Sequence, residues 1–474
     1  MKDILVKDII RETHGLLIQG NENVICENFS RDSRNIKKDD IYIAIKGEKF
    51  DKIKDVLEYI KADKFIINSL KNALDNGAKV AICQELNITK EELNKYKDKT
   101  IIKVEDTIKA LHQIAKYKRS LYQIPVVAIT GSVGKTSTKD IIANVISQKY
   151  KTLKTEANQN NDIGLPFTIL KLKDEEVLVV EMGMNHFGEI SRLTNIAKPT
   201  ISVITNIGTS HIGNLGSREN ILKAKLEILD GMDKKIIVIN NDNDLLNKWC
   251  KNEKETEIYT FGIENKSQTM AENIQAYVDS SEFECEIYGK KYKIKIPVGG
   301  KHFVLNALCA ISIGKIFNIE AEKIKDGIEK FNLTKRRMDI IKSSKGVTII
   351  NDSYNASYES MKAAIEYLSS IKNRRKIAIL GDMFELGNFS YELHENVGKE
   401  IALNKIDLLF CTGELSKKIK DGAIKNGMSP EKIKYCDDKE KIIEEINKIT
   451  KEGDIILVKA SNGMKFYDIV EMIN

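Results

Sequence analysis

A chain of 474 residues is about three times the roughly 150 that serve one domain, so two to four domains are expected. Its composition, 42% hydrophobic and 30% charged, is that of an ordinary globular protein, and 75 basic against 69 acidic residues leave only +6, which gives no charge-based case for nucleic-acid or membrane partners. Seven cysteines (Cys26, Cys83, Cys250, Cys285, Cys309, Cys411 and Cys436) are widely spaced and odd in number, so neither zinc-site spacing nor a disulfide framework is indicated and they read as reduced core thiols.

In chain order, Met1–Asp8 mixes acids and bases where a secretory signal needs an apolar run, and no segment approaches eighteen apolar residues. A cytoplasmic location without membrane insertion is the expectation. Short apolar runs then alternate with helical patterns, the signature of α/β domains. Strands are expected at Ile41–Ile45, Val126–Ile129, Val177–Val180, Ile201–Ile204, Ile236–Ile239, Lys376–Leu380 and Ile455–Val458. With only five prolines, domain boundaries come from pattern breaks. One falls near Val104 and Glu105, before a helix over Thr107–Tyr122; the other falls near Leu333 and Thr334, after a helical pattern over Glu320–Phe331. The expected domains are 1–105, 106–333 and 334–474.

Val126–Ile129 runs directly into Gly131-Ser132-Val133-Gly134-Lys135-Thr136-Ser137, and a helix follows with Ile141, Ile142, Val145 and Ile146 on one face. A strand, a tight turn and a helix N-terminus aim backbone N–H groups and the positive end of the helix dipole at an anion. Lys135 is then placed for the terminal phosphates of a nucleotide and the Thr136 hydroxyl for Mg²⁺. The full phosphate-loop pattern asks for glycine where Ile129 stands, leaving the shorter GxxGK[ST]; without its setting, the stretch is a glycine turn with a solvated lysine.

Glu176–Glu181 is a buried strand that ends on a carboxylate. Ligands of open α/β sheets sit at the carboxyl ends of strands, which puts Glu181 beside the phosphates; the alternative is a solvated strand-end acid. His211 follows the next strand in Asn206-Ile207-Gly208-Thr209-Ser210-His211. A lone loop histidine is more often a packing or surface residue, and its place after a neighbouring strand is what marks it. Lys225 sits in a run of charges on a helix, usually a solvated face, and spacing does not single it out.

The motifs "ITGSVGKTSTKD", "NQNNDIGLPFTIL", "VVEMGMNHFGEI", "VITNIGTSHIGNLGS" and "ILKAKLEIL", followed by "RRMDII", "NDSYNAS" and "LGDMFELG", resemble the Mur ligases in order and spacing from about Asp32 to Val470. That family uses the shortened loop. The resemblance implies three α/β domains: an N-terminal one for the UDP end of a substrate, a central ATPase with a mostly parallel sheet, and a Rossmann-like C-terminal one. It implies an ATP-dependent amide ligase in peptidoglycan precursor synthesis. The later motifs resemble the branch that joins D-alanyl-D-alanine to UDP-N-acetylmuramoyl-tripeptide. Two Mg²⁺ ions are expected, one on Thr136 and Glu181, the second on His211 and on Lys225 as its carbamate. Lys135, Lys225, His211 and Arg337 become the catalytic set. The nucleotide set is Gly131 to Ser137 with Asn306 at the adenine, Arg337 at the phosphates and Asp352 near the ribose. Asp32, Ser33, Arg34, Asn160, Asn161, Tyr354 and Asn355 become substrate contacts, and a monomer with small-molecule partners is expected.

A carboxylate resists amines because its charge repels the nucleophile and oxide is a poor leaving group. Phosphoryl transfer from ATP makes an acyl phosphate, which the dipeptide amine opens with loss of phosphate. Asp51-Lys52-Ile53-Lys54 stands where relatives usually read Asp-Gly-His and an aromatic, Ser357-Tyr358 where they have Asn-Pro, and Asn462 where arginine is common. The nucleotide machinery is whole while both substrate-reading ends depart, which leaves open a ligase for another acid and amine. The lesser alternative for Asp32, Ser33 and Arg34 is a turn with an ordinary surface ion pair. Folylpolyglutamate synthetase shares the central chemistry, but "DSYNA" and "GDMFELG" favour the Mur side. A paralogue that binds ATP without ligating is opposed by Glu181, His211, Lys225 and Arg337.

Overall fold

The computed structural model describes residues 3–45, 69–86, 88–332 and 334–473; the Lys46-Gly47-Glu48 turn and the Asp51–Lys54 departure lie outside the described residues. The chain is mixed α/β, and six expected strands form within a residue of their apolar runs: Val126–Thr130, Val177–Glu181, Ile201–Ile204, Ile236–Asn240, Lys376–Leu380 and Ile455–Lys459. The seventh stops early, at Ile41–Ile43, because Ile45 N turns back to Ile43 O at 2.9 Å, an i to i+2 closure that ends the extended run. The helix expected from Thr107 forms over Thr107–Ser120, started by the Asp106 carboxylate accepting from Ile108 N and Lys109 N at 2.7 and 2.9 Å.

Besides a two-stranded pair, Ile4–Leu5 with Ile25–Cys26, the described strands form three sheets. The first has five strands, in the order Leu16–Gln19, Thr100–Lys103, Val80–Cys83, Ile41–Ile43 and Phe29–Ser30, parallel except for the first pair. The largest has nine. From one edge it runs Thr152–Lys154, Val177–Glu181, Val126–Thr130, Ile201–Ile204, Ile236–Asn240, Glu257–Gly262 and Thr269–Ala276, all parallel. Two antiparallel strands, Ser281–Ile287 and Lys290–Ile296, complete it. The third sheet has six strands, Asp339–Lys342, Thr348–Asn351, Ile455–Lys459, Lys376–Leu380, Leu408–Cys411 and Ile433–Tyr435, parallel after the first pair.

Buried parallel strands need helices on their faces, and the near-continuous apolar runs follow from that. Helix Lys135–Ile146 lies against helices Lys301–Ile316 and Ala321–Glu329. Ile141, Ile142, Val145 and Ile146 are fully buried there, each worth roughly 1.5–3 kcal/mol of transfer free energy. All seven cysteines are free thiols and six are buried; burial pushes Cys26, Cys83 and Cys285 up to about 12, which leaves them protonated and unreactive. Among the described residues no helix is long and apolar enough to cross a membrane.

The nine-stranded and six-stranded sheets meet directly. Thr334 Oγ1 donates to Asp140 Oδ2 at 2.8 Å where the chain passes between them, and the Tyr367 hydroxyl donates to Tyr277 O at 3.2 Å. Parallel strands of both sheets end at the junction: Glu181 and Thr130 from one side, Asn351 and Lys459 from the other.

Candidate active site

The cleft at that junction has a volume of about 430 Å³. Its floor is the loop between strand Val126–Thr130 and helix Lys135–Ile146. A Cβ on Gly131, whose φ is +153°, would fall 1.9 Å from Thr205 Oγ1, and Gly134 has φ +82°, so this backbone path belongs to glycine. Asn206, just past a neighbouring strand, fixes the loop: its Oδ1 accepts from Val133 N at 2.9 Å and its Nδ2 donates to Val133 O at 3.0 Å. Thr205 Oγ1 adds a bond to Val133 O at 2.6 Å. Ser132, Val133, Gly134, Lys135, Thr136 and Ser137 all line the cleft, and the side-chain oxygen of Asn306 stands 3.2 Å from the Cβ position of Gly134.

Lys135 Nζ donates to Gly131 O at 2.9 Å. Burial pushes its pKa down, Glu181 pulls it back up and the charge of Arg337 pushes it down again. Thr136 Oγ1 donates to Glu181 Oε2 at 2.8 Å, and Asn160 Nδ2 donates to Glu181 Oε1 at 2.7 Å. Glu181 is only 2% exposed, so a strand-end acid in bulk solvent is not what forms. From the start of the C-terminal segment, Arg337 crosses to this pair: Nη2 donates to Thr136 Oγ1 at 3.1 Å and the guanidinium lies 4.0 Å from the Tyr354 ring centroid. Arg337 Nε is buried with no hydrogen-bond partner among the described residues. A half-buried cation with a buried, unmet N–H donor, a lysine spent on its own loop carbonyl and a helix N-terminus together make a site for an anion.

Lys225 is 1% exposed on helix Arg218–Leu226. Burial first, and then the charge of Lys135, push its pKa well below the ordinary lysine range, so it is a neutral amine far more readily than a surface lysine. His211 takes a left-handed backbone, φ +64°. Its Nδ1 stands 2.7 Å from Glu385 Oε2, out of line for a hydrogen bond, and the contact holds the Glu385 carboxyl below its usual range. Asp352 pairs with Lys459, which is 2% exposed and also donates to Asn355 O at 2.9 Å. His302 lines the same wall, and burial pushes its pKa down to about 4, with Asp352 pulling up and Lys459 pushing down.

The fold thus gathers residues from the whole second and third parts of the sequence: the loop, Asn160, Asn161, Glu181, His211, Asn306, Arg337, Asp352, Tyr354 and Asn355 line one cleft. Asp32, Ser33 and Arg34 stand apart on the five-stranded sheet's side, where Arg34 Nε and Nη2 each donate to the Asp32 carboxylate at 2.8 Å and Asn76 Nδ2 donates to Ser33 O at 2.9 Å. The side chain of Arg34 is 83% exposed.

Residues 129–314 match the Mur ligase middle domain and residues 336–462 match the Mur ligase glutamate ligase domain. Over 470 residues the chain is 34% identical to the UDP-N-acetylmuramoyl-tripeptide--D-alanyl-D-alanine ligase of Bacillus subtilis (strain 168), covering 98% of this chain and 97% of that one. The chain belongs to the Mur ligases. The enzyme of the same name from Rickettsia prowazekii is 34% identical over 465 residues, 96% of each chain. Among solved structures, a crystal form of MurF from Acinetobacter baumannii superposes with a TM-score of 0.87 at 27% identity, covering 100% and 99% of the two chains. MurF from Thermotoga maritima in complex with ADP gives 0.79 at 28% identity, with 94% and 97% covered.

Two departures from the Mur ligase pattern lie among the described residues. Ser357 is the residue before helix Tyr358–Ser370, and its backbone is tied to the first turn by the Ser360 side chain: Ser357 N donates to Ser360 Oγ at 2.9 Å and Ser360 Oγ donates to Ser357 O at 3.0 Å. Tyr358 fills the first helical position, and its hydroxyl donates to Glu400 Oε1 at 3.1 Å. Asn462 is exposed in a short turn after the buried Ser461. Sequence reasoning passed over Asn206, His302, Glu359 and Lys459. Lys459 had a signal, a charge closing the buried run Ile455–Val458; Glu359 had none, because its partner lies 150 positions away.

Proposed function

We propose that this Mur ligase joins D-alanyl-D-alanine to UDP-N-acetylmuramoyl-tripeptide at the expense of ATP, through an acyl phosphate. The full-length likeness to enzymes of that name supports the reading, and the observation that carries the chemistry is the Arg337–Thr136–Glu181 chain of contacts at the loop helix, which joins two sheets over one anion site. The boundaries that suit it are 1–105 for the UDP end, 106–333 for ATP and 334–474 for the amine. ATP is the nucleotide this loop would take, with Asn306 toward the base and Asp352 toward the ribose.

Mg²⁺ fits the first donor set. Thr136 and Glu181 present a hydroxyl and a carboxylate 2.8 Å apart, the hard oxygen donors that ion prefers, with phosphates and waters completing its shell. A second ion suits His211 and Lys225 once the neutral amine has attacked CO₂ and lost its proton, because the carbamate supplies the oxygens an amine lacks. When bound, the ions neutralise phosphate charge. Lys135 and Arg337 then hold the γ-phosphoryl oxygens while the peptide carboxylate attacks phosphorus and ADP leaves. The dipeptide's neutral amine attacks the acyl carbon, the tetrahedral adduct expels phosphate, and the amide nitrogen loses its extra proton. The cleft between the two sheets keeps water from the anhydride in the meantime. Asn160, Asn161, Tyr354 and Asn355 suit contacts to the two substrates near the reacting carbon, and Asp32, Ser33 and Arg34 suit the nucleotide end. Small-molecule substrates fit a monomer in the cytoplasm.

The test is a mass-spectrometric assay of the purified chain with ATP, Mg²⁺ and UDP-muramoyl peptides ending in meso-diaminopimelate or lysine, crossed with a panel of amines. Amide formation with D-alanyl-D-alanine, and ADP release that needs both substrates, is the expected result. ADP release with a different pair reassigns the substrates, and nucleotide binding with no coupled product refutes the ligase reading.

A further inference from the structure

We propose that Glu359 is a positioning residue through which the C-terminal segment grips the phosphate loop, so that seating of that segment is felt at the acyl phosphate; the inference rests on the ligase reading above. Glu359 stands in the first turn of helix Tyr358–Ser370. Its carboxylate reaches across the cleft to the loop after strand Ile201–Ile204, accepting from Thr209 N at 2.8 Å and from Thr209 Oγ1 at 3.1 Å. Hydrogen bonds to an ionised acceptor are about twice as strong as neutral ones. No ion pair claims Glu359 among the described residues, so its charge is met by these donors, with Arg218 acting at longer range.

The approach depends on a missing side chain. A Cβ on Gly208 would fall 2.4 Å from Glu359 Cδ and 2.7 Å from Oε2, so any side chain there would push the carboxylate out of this position. Beyond Thr209 the grip continues inward: Gly208 N donates to Ser132 Oγ at 2.8 Å and Ser210 Oγ donates to Ser132 O at 3.2 Å. Ser132 belongs to the phosphate loop. The same stretch is held at its far end by the C-terminal segment, where Gly213 N donates to Glu385 O at 3.2 Å and Glu385 faces His211. A movement of helix Tyr358–Ser370 therefore pulls on Gly208 and Thr209 first, then on Ser132, without passing through Arg337.

Removal of the carboxylate should leave the loop able to hold nucleotide, because Asn206 and Thr205 fix Val133 independently. The side of the cleft where the anhydride forms should open to water. In the full chain with ATP, Mg²⁺, UDP-N-acetylmuramoyl-tripeptide and D-alanyl-D-alanine, Glu359→Ala is expected to lower kcat for amide roughly ten-fold or more with little change in KM for ATP. ADP released per amide formed is expected to rise above the wild-type ratio of about one. Gly208→Ala attacks the same contact from the other side and should raise that ratio too; Glu359→Gln, which keeps an acceptor but no charge, should fall between. A merely structural role would lower both products together and leave the ratio alone. Should Glu359→Ala fail to fold, the other two variants decide. Wild-type ratios in every folded variant overturn the inference while the ligase reading stands; a wild-type chain that makes no amide overturns both.

Discussion

Arg337→Lys is the substitution that separates a positioned guanidinium from a mere positive charge. In the structure Arg337 makes a 3.1 Å bond to Thr136 Oγ1 and lies 4.0 Å from the Tyr354 ring centroid. A hydrogen bond to a charged group is worth about 1.5–3 kcal/mol and a guanidinium over an aromatic face about 0.5–2 kcal/mol. A lysine ammonium keeps the charge but has no planar fork with which to do both. Even the low ends together give about 2 kcal/mol, or ~30-fold in kcat/KM. The assay is steady-state ligation with ATP varied at saturating peptide and dipeptide, alongside nucleotide binding by calorimetry. The loss should fall mainly on kcat, because the contact joins the two sheets over the reacting phosphate. A variant within threefold of wild type would show that charge alone suffices, and the argued role of the Arg337–Thr136 contact would be wrong.

Glu181→Gln should cost roughly 100-fold or more in kcat and raise the Mg²⁺ concentration for half-maximal activity, with circular dichroism unchanged; an unaltered Mg²⁺ titration counts against the assignment of Glu181. Lys225 has its folded pKa pushed down by burial, so the unfolded chain binds the extra proton as pH falls below about 10.4 and stability declines in that direction. In CO₂-free buffer Lys225→Met should therefore gain melting temperature over wild type at pH 7 and much less at pH 10, while losing ligase activity; the opposite trend would mean Lys225 is charged in the folded state. His302, with a pKa near 4, should show a ring-proton NMR midpoint close to that value. Its contribution to stability should fall as pH drops from about 6.5 toward 4, and a midpoint near 6.5 would place it in solvent.

The residues legible in the sequence are those whose neighbours in the chain already define their surroundings. The strand Val126–Thr130 and the helix after Gly134 dictate where Lys135 and Thr136 point, and the run Val177–Val180 delivers Glu181 to the same sheet edge. Lys225 reads as a solvated charge between Lys223 and Glu227, because its burial arises from packing that no local pattern encodes. The same holds for Lys459 with Asp352, 107 positions apart, which meet only when two neighbouring strands of the six-stranded sheet pair, and for Glu359 with Thr209, 150 apart, which meet only once two sheets have come together. At the departure Ser357-Tyr358, Ser357 starts a helix and lines the cleft, and the Tyr358 hydroxyl bonds to Glu400, a partner that the local sequence does not reveal.

The central claim is that oxygen from the acid substrate ends up on phosphate. It is tested by ligation with UDP-muramoyl-tripeptide whose terminal carboxylate carries ¹⁸O in both positions, followed by mass analysis of the products. An acyl phosphate requires one labelled oxygen in each released phosphate and one in each new amide carbonyl; unlabelled phosphate alongside labelled amide would contradict it.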